Sequence, residues 1–339
     1  MRDFIDSSDI LGDGDALQER MARDGYLFIK GLVPAQEIGA VGRRFREIVA
    51  AAGWLLPGTP IEERIADPAQ ACYDPQPRFL EVYAPYYRLE TTHALKRHPA
   101  IVGFFERMLG GEVLVHPLHV IRNVFPQREE FTTRPHQDFV HIQGTPETYT
   151  VWLPMHDCPQ ATGGLAVAEG SHRSGVAEFA VSSGAGGLEV IAPYEGRWRT
   201  GDFALGDALV FHSMTVHKGL ANRSESIRHS MDPRYQRADE PISEVSMRPY
   251  SGCGTWEEVY ADWTTDELKY YWERQNPKVV PFDWQYYERR DEMAFELAAA
   301  GDETARAALM RIVQRDPKPD KKARASAALD ALDRVAATA

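Results

Sequence analysis

The middle third of the chain restricts the fold more than any other part of the sequence. Between residues 112 and 237, short β-prone runs alternate with clusters of Gly, Pro, Asp and Asn. The runs are Val113–Val124, Glu147–Leu153, Gly164–Ala168, Ala208–Val216 and Ile227–Tyr235. Strands at such intervals are typical of a β-sandwich or jelly roll, and they argue against units in which each strand is followed by a helix.

Segments with helical spacing lie on both sides of this β core. A short strand is also expected at residues 26–29. The predicted helices are Ala16–Asp24, Pro34–Ala50, Pro99–Leu109, Trp263–Arg274, Tyr286–Ala300, Glu303–Gln314 and Lys321–Ala337. We therefore expect an α+β protein in which residues 1–240 form a domain around the β core at 112–237. Residues 241–339 are expected to form a C-terminal helical extension.

The charge balance limits the partners of the chain. Its 38 Lys and Arg against 50 Asp and Glu give a net charge of −12. This charge disfavours nucleic acid and anionic membranes, which bind through Lys and Arg. The three cysteines are too few for a disulfide framework, and the acidic N-terminus is unlike a signal peptide. Since no apolar run has the ~20 residues that span a bilayer, we expect a cytoplasmic protein.

A His-x-Asp triplet is the first candidate for chemistry. On an extended strand, residues i and i+2 share a face, so His136 and Asp138 would project together. Such a triplet also arises often by chance. His141 follows on the same segment, and for this residue we expect packing rather than a substrate contact.

A second segment supplies two more histidines, His212 and His217, after the Gly206-Asp207 turn. They are five residues apart, so on one strand they face opposite sides. The facial triad of non-haem Fe(II) oxygenases has two histidines and one carboxylate and needs only one of them. A hairpin after His217 would bring Arg228 onto the neighbouring strand, where its guanidinium can hold a carboxylate in two hydrogen bonds. This favours His217 as the ligand.

Together these segments resemble the phytanoyl-CoA dioxygenase family of Fe(II)- and 2-oxoglutarate-dependent oxygenases. Order and spacing agree over residues 112–237, and the N-terminal part fits more loosely. The matching motifs are His136-Gln137-Asp138; Trp152-Leu153-Pro154 followed by Gly163-Gly164-Leu165 and Gly170-Ser171-His172; and Gly206-Asp207, Phe211-His212, His217, Asn222, Ser224 and Arg228. The resemblance implies a double-stranded β-helix, a cupin-like jelly roll with the metal between its sheets.

The resemblance also implies an activity. His136, Asp138 and His217 would bind Fe(II), and Arg228 would bind the distal carboxylate of 2-oxoglutarate. With O2, the enzyme would hydroxylate or otherwise oxidise a C–H bond of a small organic substrate and release succinate and CO2. Halogenating relatives carry a small residue in place of the carboxylate, so Asp138 favours oxygenation.

Further residues of the cosubstrate site follow from the same resemblance. Gln137 and Trp152 are similar to family residues that line it. Members often carry a hydroxyl residue two positions after the distal histidine, where this chain has Gly219. Ser230 is a candidate for the missing hydrogen bond.

Two other functions remain open on the sequence alone. One is a cupin-type metalloenzyme that does not use 2-oxoglutarate. The other is a non-catalytic metal-binding protein that interacts through its C-terminal helices, and these helices also suit a homodimer. Formation of succinate separates the oxygenase from both. The loops that choose the substrate cannot be interpreted from sequence, although a small organic acid or natural-product intermediate is favoured.

Overall fold

The structure is a computed structural model that describes residues 1–182 and 185–336. The helices are α1 Gly14–Asp24, α2 Ala35–Ala51, α3 Pro77–Tyr87, α4 Glu90–Lys96, α5 Pro99–Leu109, α6 Phe139–Ile142, α7 Trp256–Val259, α8 Gln285–Ala299, α9 Arg306–Arg315 and α10 Pro319–Ala336. The strands are β1 Arg2–Asp3, β2 Tyr26–Ile29, β3 Val113–Val115, β4 Val120–Val124, β5 Thr148–Pro154, β6 Leu165–Ala168, β7 Phe179–Val181, β8 Leu188–Val190, β9 Trp198–Thr200, β10 Ala208–His212, β11 His217–Gly219, β12 Arg228–Asp232, β13 Arg234–Arg237, β14 Ile242–Ser243 and β15 Val279–Val280. Among the described helices, none combines the length and apolar character needed to cross a bilayer.

Two sheets form the β core. The larger has seven strands in the order β2-β10-β5-β12-β4, with β13 paired to β3 and β5, and the smaller has the order β1-β9-β6-β11. Trp152, Leu209 and Phe211 of the larger sheet contact Leu165 and Val167 of the smaller one in a shared apolar cluster. The sheets therefore pack face to face, which is the arrangement of the expected double-stranded β-helix within an α+β fold.

The alternation of side chains along β5 separates two environments. Tyr149, Val151 and Leu153 belong to the main core under the N-terminal helices. Thr150 and Trp152 point the other way, into the space between the sheets. Because side chains in a strand alternate with a period of two, each strand of the larger sheet delivers every second residue to this interior.

Helix α2 covers the outer face of the larger sheet. Ile38, Phe45 and Val49 form the buried side of the helix. Gly42 lies where the helix crosses the sheet, and a Cβ there would stand 2.3 Å from the carbonyl oxygen of Met155. The missing side chain allows this close packing.

The C-terminal helices form an apolar cluster of their own. Ala294, Phe295 and Leu309 pack there with Leu332, so that α8, α9 and α10 lie against one another. By contrast, side chains between residues 242 and 272 pack into the main core. A domain boundary after residue 240 remains a prediction.

The predicted helix Trp263–Arg274 is wrong. This segment contains turns and a 3₁₀ helix at Tyr271–Gln275. Tyr270 has a φ of 49°, and a right-handed helix cannot continue through that conformation. Trp256 and Trp272 pack with their ring centroids 4.9 Å apart. The aromatic side chains of this region therefore form a tertiary cluster and not one face of a helix.

Candidate metal centre

Two distant segments of the chain meet at the site. His136 and His217 form an isolated antiparallel bridge, in which each backbone N–H donates to the other carbonyl at 2.9 and 3.0 Å. Residues directly opposite each other in such a pair project to the same side. Their imidazole centroids accordingly lie 4.1 Å apart. Asp138 reaches the same point from two residues after His136.

The three side chains have the geometry of a metal site. Nε2 of His136 and Nε2 of His217 each lie 3.9 Å from Oδ1 of Asp138. One possible ligand atom from each of the three residues lies within 4.8 Å of the others, and all three residues are buried. Two imidazole nitrogens and one carboxylate oxygen are a donor set that suits Fe(II).

Hydrogen bonds orient both imidazoles. Nδ1 of His136 lies 2.8 Å from the carbonyl oxygen of Arg134, and Nδ1 of His217 lies 3.0 Å from that of Thr215. A neutral imidazole that donates through Nδ1 presents the lone pair of Nε2 to a metal. Burial lowers the pKa of His217 and holds that of His136 well below its ordinary value. Both rings are therefore neutral, as ligands must be.

Asp138 is held by two residues that the sequence analysis did not identify. Its Oδ2 accepts hydrogen bonds from Thr150 Oγ1 at 2.5 Å and from Arg234 Nη2 at 3.2 Å. Burial raises the pKa of Asp138, but Arg234 and the two histidines outweigh it, and the net shift is far below the ordinary value. Asp138 is therefore a carboxylate whose Oδ1 remains for a metal.

Arg228 lies in the larger sheet, on β12. The expected hairpin beside His217 is wrong, because β11 belongs to the smaller sheet and the loop between the strands crosses from one sheet to the other. The guanidinium is buried and stands 5.5 Å from the ring centroid of Trp152. Its Nε and Nη1 have no hydrogen-bond partner among the described residues, and the same holds for Oγ of Ser230 on the same face of β12.

The side-chain amide of Gln137, which the resemblance places at the cosubstrate site, bonds to backbone groups of other segments. Its Nε2 donates to the carbonyl oxygens of Gly175 and Met214 at 2.9 and 2.7 Å. Its Oε1 accepts from the backbone N–H of Ala177 at 2.8 Å. The amide is therefore fully engaged in tying three segments together, and we do not assign it to the cosubstrate.

His212 points away from the triad, but not because it shares a strand with His217: β10 ends at His212, and β11 begins at His217 in the smaller sheet. Its Nε2 lies 3.5 Å from Oε1 of Glu147. It lines a separate cleft of about 430 Å³ with His172 and side chains of α1 and α5.

Arg122 and Asp232 are two further polar residues that the sequence analysis missed. Arg122 lies directly across the ladder from Ser230 and shares its face. Its Nε is 3.7 Å from Oδ2 of Asp232. Burial raises the pKa of Asp232 to about 6. A usable signal existed, since Arg228, Ser230 and Asp232 alternate in sequence and so share the inner face of one strand.

A buried cluster of two histidines and one carboxylate between the sheets of a double-stranded β-helix defines a class, the non-haem iron oxygenases. Residues 21–230 match the model of the phytanoyl-CoA dioxygenase (PhyH) family. The chain belongs to this family, and it is an Fe(II)- and 2-oxoglutarate-dependent dioxygenase.

Curated relatives carry related activities. The chain is 27% identical over 278 residues to 1-deoxypentalenic acid 11-beta-hydroxylase of Streptomyces exfoliatus, which covers 77% of this chain and 93% of the relative. It is 27% identical over 186 residues to L-proline trans-4-hydroxylase of Streptomyces griseoviridis, which covers 48% and 68%. A solved structure of the non-heme monooxygenase ThoJ aligns with 17% identity and a TM-score of 0.48. The alignment covers 93% of this chain and 99% of the ThoJ chain.

Proposed function

We propose that His136, Asp138 and His217 bind the iron and that Arg228 and Ser230 bind the distal carboxylate of 2-oxoglutarate. The assignment of the cosubstrate carboxylate rests on the buried and partly unpaired guanidinium of Arg228. A buried guanidinium with two unpaired nitrogens is costly unless an anion completes its hydrogen bonds. The unpaired hydroxyl of Ser230, two residues along the same face, adds a donor where Gly219 offers none.

Trp152 holds the guanidinium in place in this proposal. Its ring is buried, packs against Phe203 at 4.6 Å between centroids, and faces Arg228. A cation over an indole face is favourable, and more so away from water. Trp152 would therefore orient the guanidinium of Arg228 without a hydrogen bond of its own to the cosubstrate.

The iron, with 2-oxoglutarate and O2, supplies oxidative decarboxylation to succinate and CO2 and the oxidation of a substrate C–H bond. The chain supplies the enclosure. Phe211 packs 4.3 Å from the ring of His217, and the residues around the ligands are buried. An apolar wall of this kind excludes water from the reacting centre.

A small organic acid is the substrate class that the charges favour. Three arginines (Arg122, Arg228 and Arg234) and two acids (Asp138 and Asp232) face the interior. Since the charges of Fe(II) and of 2-oxoglutarate cancel, one positive charge remains unmatched. Arg122 is 23% exposed in its side chain, so it is reachable by a substrate. The relatives are named for 1-deoxypentalenic acid and L-proline, which both carry a carboxyl group.

The test is succinate formation by the full chain with Fe(II) and 2-oxoglutarate. A panel of small acids would include 1-deoxypentalenic acid and L-proline, each paired with its carboxamide, which lacks the carboxylate charge. We expect an acid to stimulate succinate formation and its amide to be weaker. Arg122→Met should raise the KM for that acid about 10-fold or more, as expected for the loss of an ion-paired hydrogen bond. Arg128→Met, at an exposed position, is the control. Equal stimulation by acids and amides would contradict the assigned substrate class.

Location and assembly are proposed from simpler observations. The three cysteines are buried and unpaired, which suits the reducing cytoplasm. We propose that the protein binds a small-molecule substrate and that it binds neither nucleic acid nor membranes. A homodimer through the C-terminal helices remains a prediction.

A further inference from the structure

A hydrogen bond joins the C-terminal helix α8 to His141, a residue close to the metal centre. His141 lies in the short helix α6, which follows Asp138 directly. Its Nδ1 is 2.8 Å from the hydroxyl of Tyr287 on α8. The centroid of the His141 ring lies 6.2 Å from that of His136. Tyr287 is therefore separated from a proposed iron ligand by a single side chain.

A glycine makes this contact possible. Gly186 has a φ of 70° and lies against both residues. A Cβ at this position would stand 2.5 Å from Cε1 of His141 and 3.3 Å from the Tyr287 hydroxyl. Since heavy atoms do not approach to 2.5 Å without a bond or a hydrogen bond, any larger residue would displace the imidazole. Glycine at position 186 thus leaves room for the contact between His141 and Tyr287.

Several polar contacts fix α8 over this part of the barrel. Nε2 of Gln143 donates to the carbonyl oxygen of Asp283 at 2.8 Å, and the backbone N–H of Asp283 donates to Oε1 of Gln143 at 2.7 Å. Arg290 donates to the carbonyl oxygen of Gly186 at 2.7 Å, and its guanidinium lies 4.6 Å from the ring centroid of Tyr287. The hydroxyl of Tyr287 is consequently held at one position.

The pair has hydrogen-bonding capacity left over. Nε2 of His141 is a buried atom without a partner among the described residues. If Tyr287 donates to Nδ1, then Nε2 carries a proton. If Nδ1 donates to Tyr287, then the phenol proton is free. In either tautomer the pair offers one donor, and an oxygen atom can accept it.

We propose that Tyr287 and His141 form one wall of the substrate pocket and donate a hydrogen bond to an oxygen of the substrate. Helix α8 lies beyond the residues 21–230 that match the family model. The C-terminal extension therefore takes part in choosing the substrate. The inference rests on the proposed function, in which a small organic acid binds beside the iron.

The first test compares Tyr287→Phe with the full-length wild type on the panel of acids. Phenylalanine keeps the ring and removes the hydroxyl. The KM for the stimulating acid should rise about fivefold, as expected for one lost hydrogen bond. Tyr286→Phe is the control, because Tyr286 packs near Phe179 on the same helix. An unchanged KM for the acid, or an equal rise in the KM for 2-oxoglutarate, would overturn the proposal.

The second test needs no substrate. It asks whether Tyr287 lies near the metal site, whatever the substrate class is. A trifluoromethyl label is attached to Tyr287→Cys or to Glu296→Cys, and Mn(II) is bound at the triad. The natural cysteines are buried, so we expect them to react more slowly than an introduced cysteine. Nine helical residues separate the two labels by about 13 Å. The fluorine resonance should broaden severalfold more at position 287 than at 296. Equal broadening, or none at 287, would overturn the proposal even if no acid is turned over.

Discussion

Arg234 and Asp138 form a buried ion pair that uses only one of the two carboxylate oxygens. Nη2 and Nε of Arg234 lie 3.2 and 3.3 Å from Oδ2. The other oxygen, Oδ1, faces the two imidazoles at 3.9 Å. Partners behind a ligand orient it and tune its affinity for metal. The division of the two oxygens therefore leaves Oδ1 for the iron that we propose Asp138 binds.

Removal of the Thr150 hydroxyl should weaken metal binding without removing a ligand. Thr150→Val keeps the shape of the side chain and deletes a donor to Asp138. We expect the affinity for Fe(II) or Mn(II) to fall about 10-fold, which is typical for the loss of such a partner. Anaerobic equilibrium titration measures this. Thr148→Val is the matched control, because Thr148 bonds to the Thr145 carbonyl instead. Equal metal affinity of wild type and Thr150→Val would refute the role.

Loss of the Arg228 guanidinium should affect the cosubstrate. Arg228→Ala removes the cation assigned to the distal carboxylate, so the KM for 2-oxoglutarate should rise about 10- to 100-fold. Succinate formation at varied 2-oxoglutarate concentration measures this. Arg223→Ala, at a position 76% exposed in its side chain, should behave like wild type. A KM within twofold of wild type in Arg228→Ala would remove this residue from the cosubstrate site.

Asp74 should make the docking of α9 sensitive to acid. It accepts hydrogen bonds from Arg311 at 2.8 Å and Arg315 at 2.9 Å. Burial raises its pKa, but the two arginines outweigh this and lower it to about 2 from an ordinary value of 3.8. A depressed pKa contributes stability that is present above the unfolded value and is lost as the pH falls toward the folded one. The contribution is about 2 kcal/mol.

Urea unfolding of the wild type and Asp74→Asn checks this expectation. The difference in the free energy of unfolding should be largest above pH 4 and should shrink as the pH falls to 2. A difference that is constant with pH would mean that Asp74 is not the titrating group.

The sequence allowed the triad to be predicted because its evidence is local. His136 and Asp138 are two residues apart, although the structure has only an isolated bridge at His136 and places Asp138 directly before α6 rather than on a strand. His212 and His217 are not on one strand as their spacing suggested, because β10 ends at His212 and β11 begins at His217 in the other sheet. Thr150 and Arg234 were missed, since they meet Asp138 only through the pairing of β5 with β13, which sets Arg234 opposite Thr150. No local pattern encodes that long-range register.

The same limit explains the errors in larger elements. Arg228 was expected beside His217 because a hairpin is the simplest connection, but here the loop changes sheets. The helical spacing of α8 predicted a helix correctly. It does not encode which surface the helix covers, so the contact between Tyr287 and His141 could be found only in three dimensions.

We propose that His136, Asp138 and His217 hold one ferrous ion. Anaerobic Fe(II) titration of the chain, compared with His217→Ala and His212→Ala, tests this ligand set. We predict that wild type and His212→Ala bind one equivalent with similar affinity and form succinate from 2-oxoglutarate. His217→Ala should lose tight binding and turnover. Tight Fe(II) binding that survives His217→Ala, or that is lost instead in His212→Ala, would show that His217 is not the ligand.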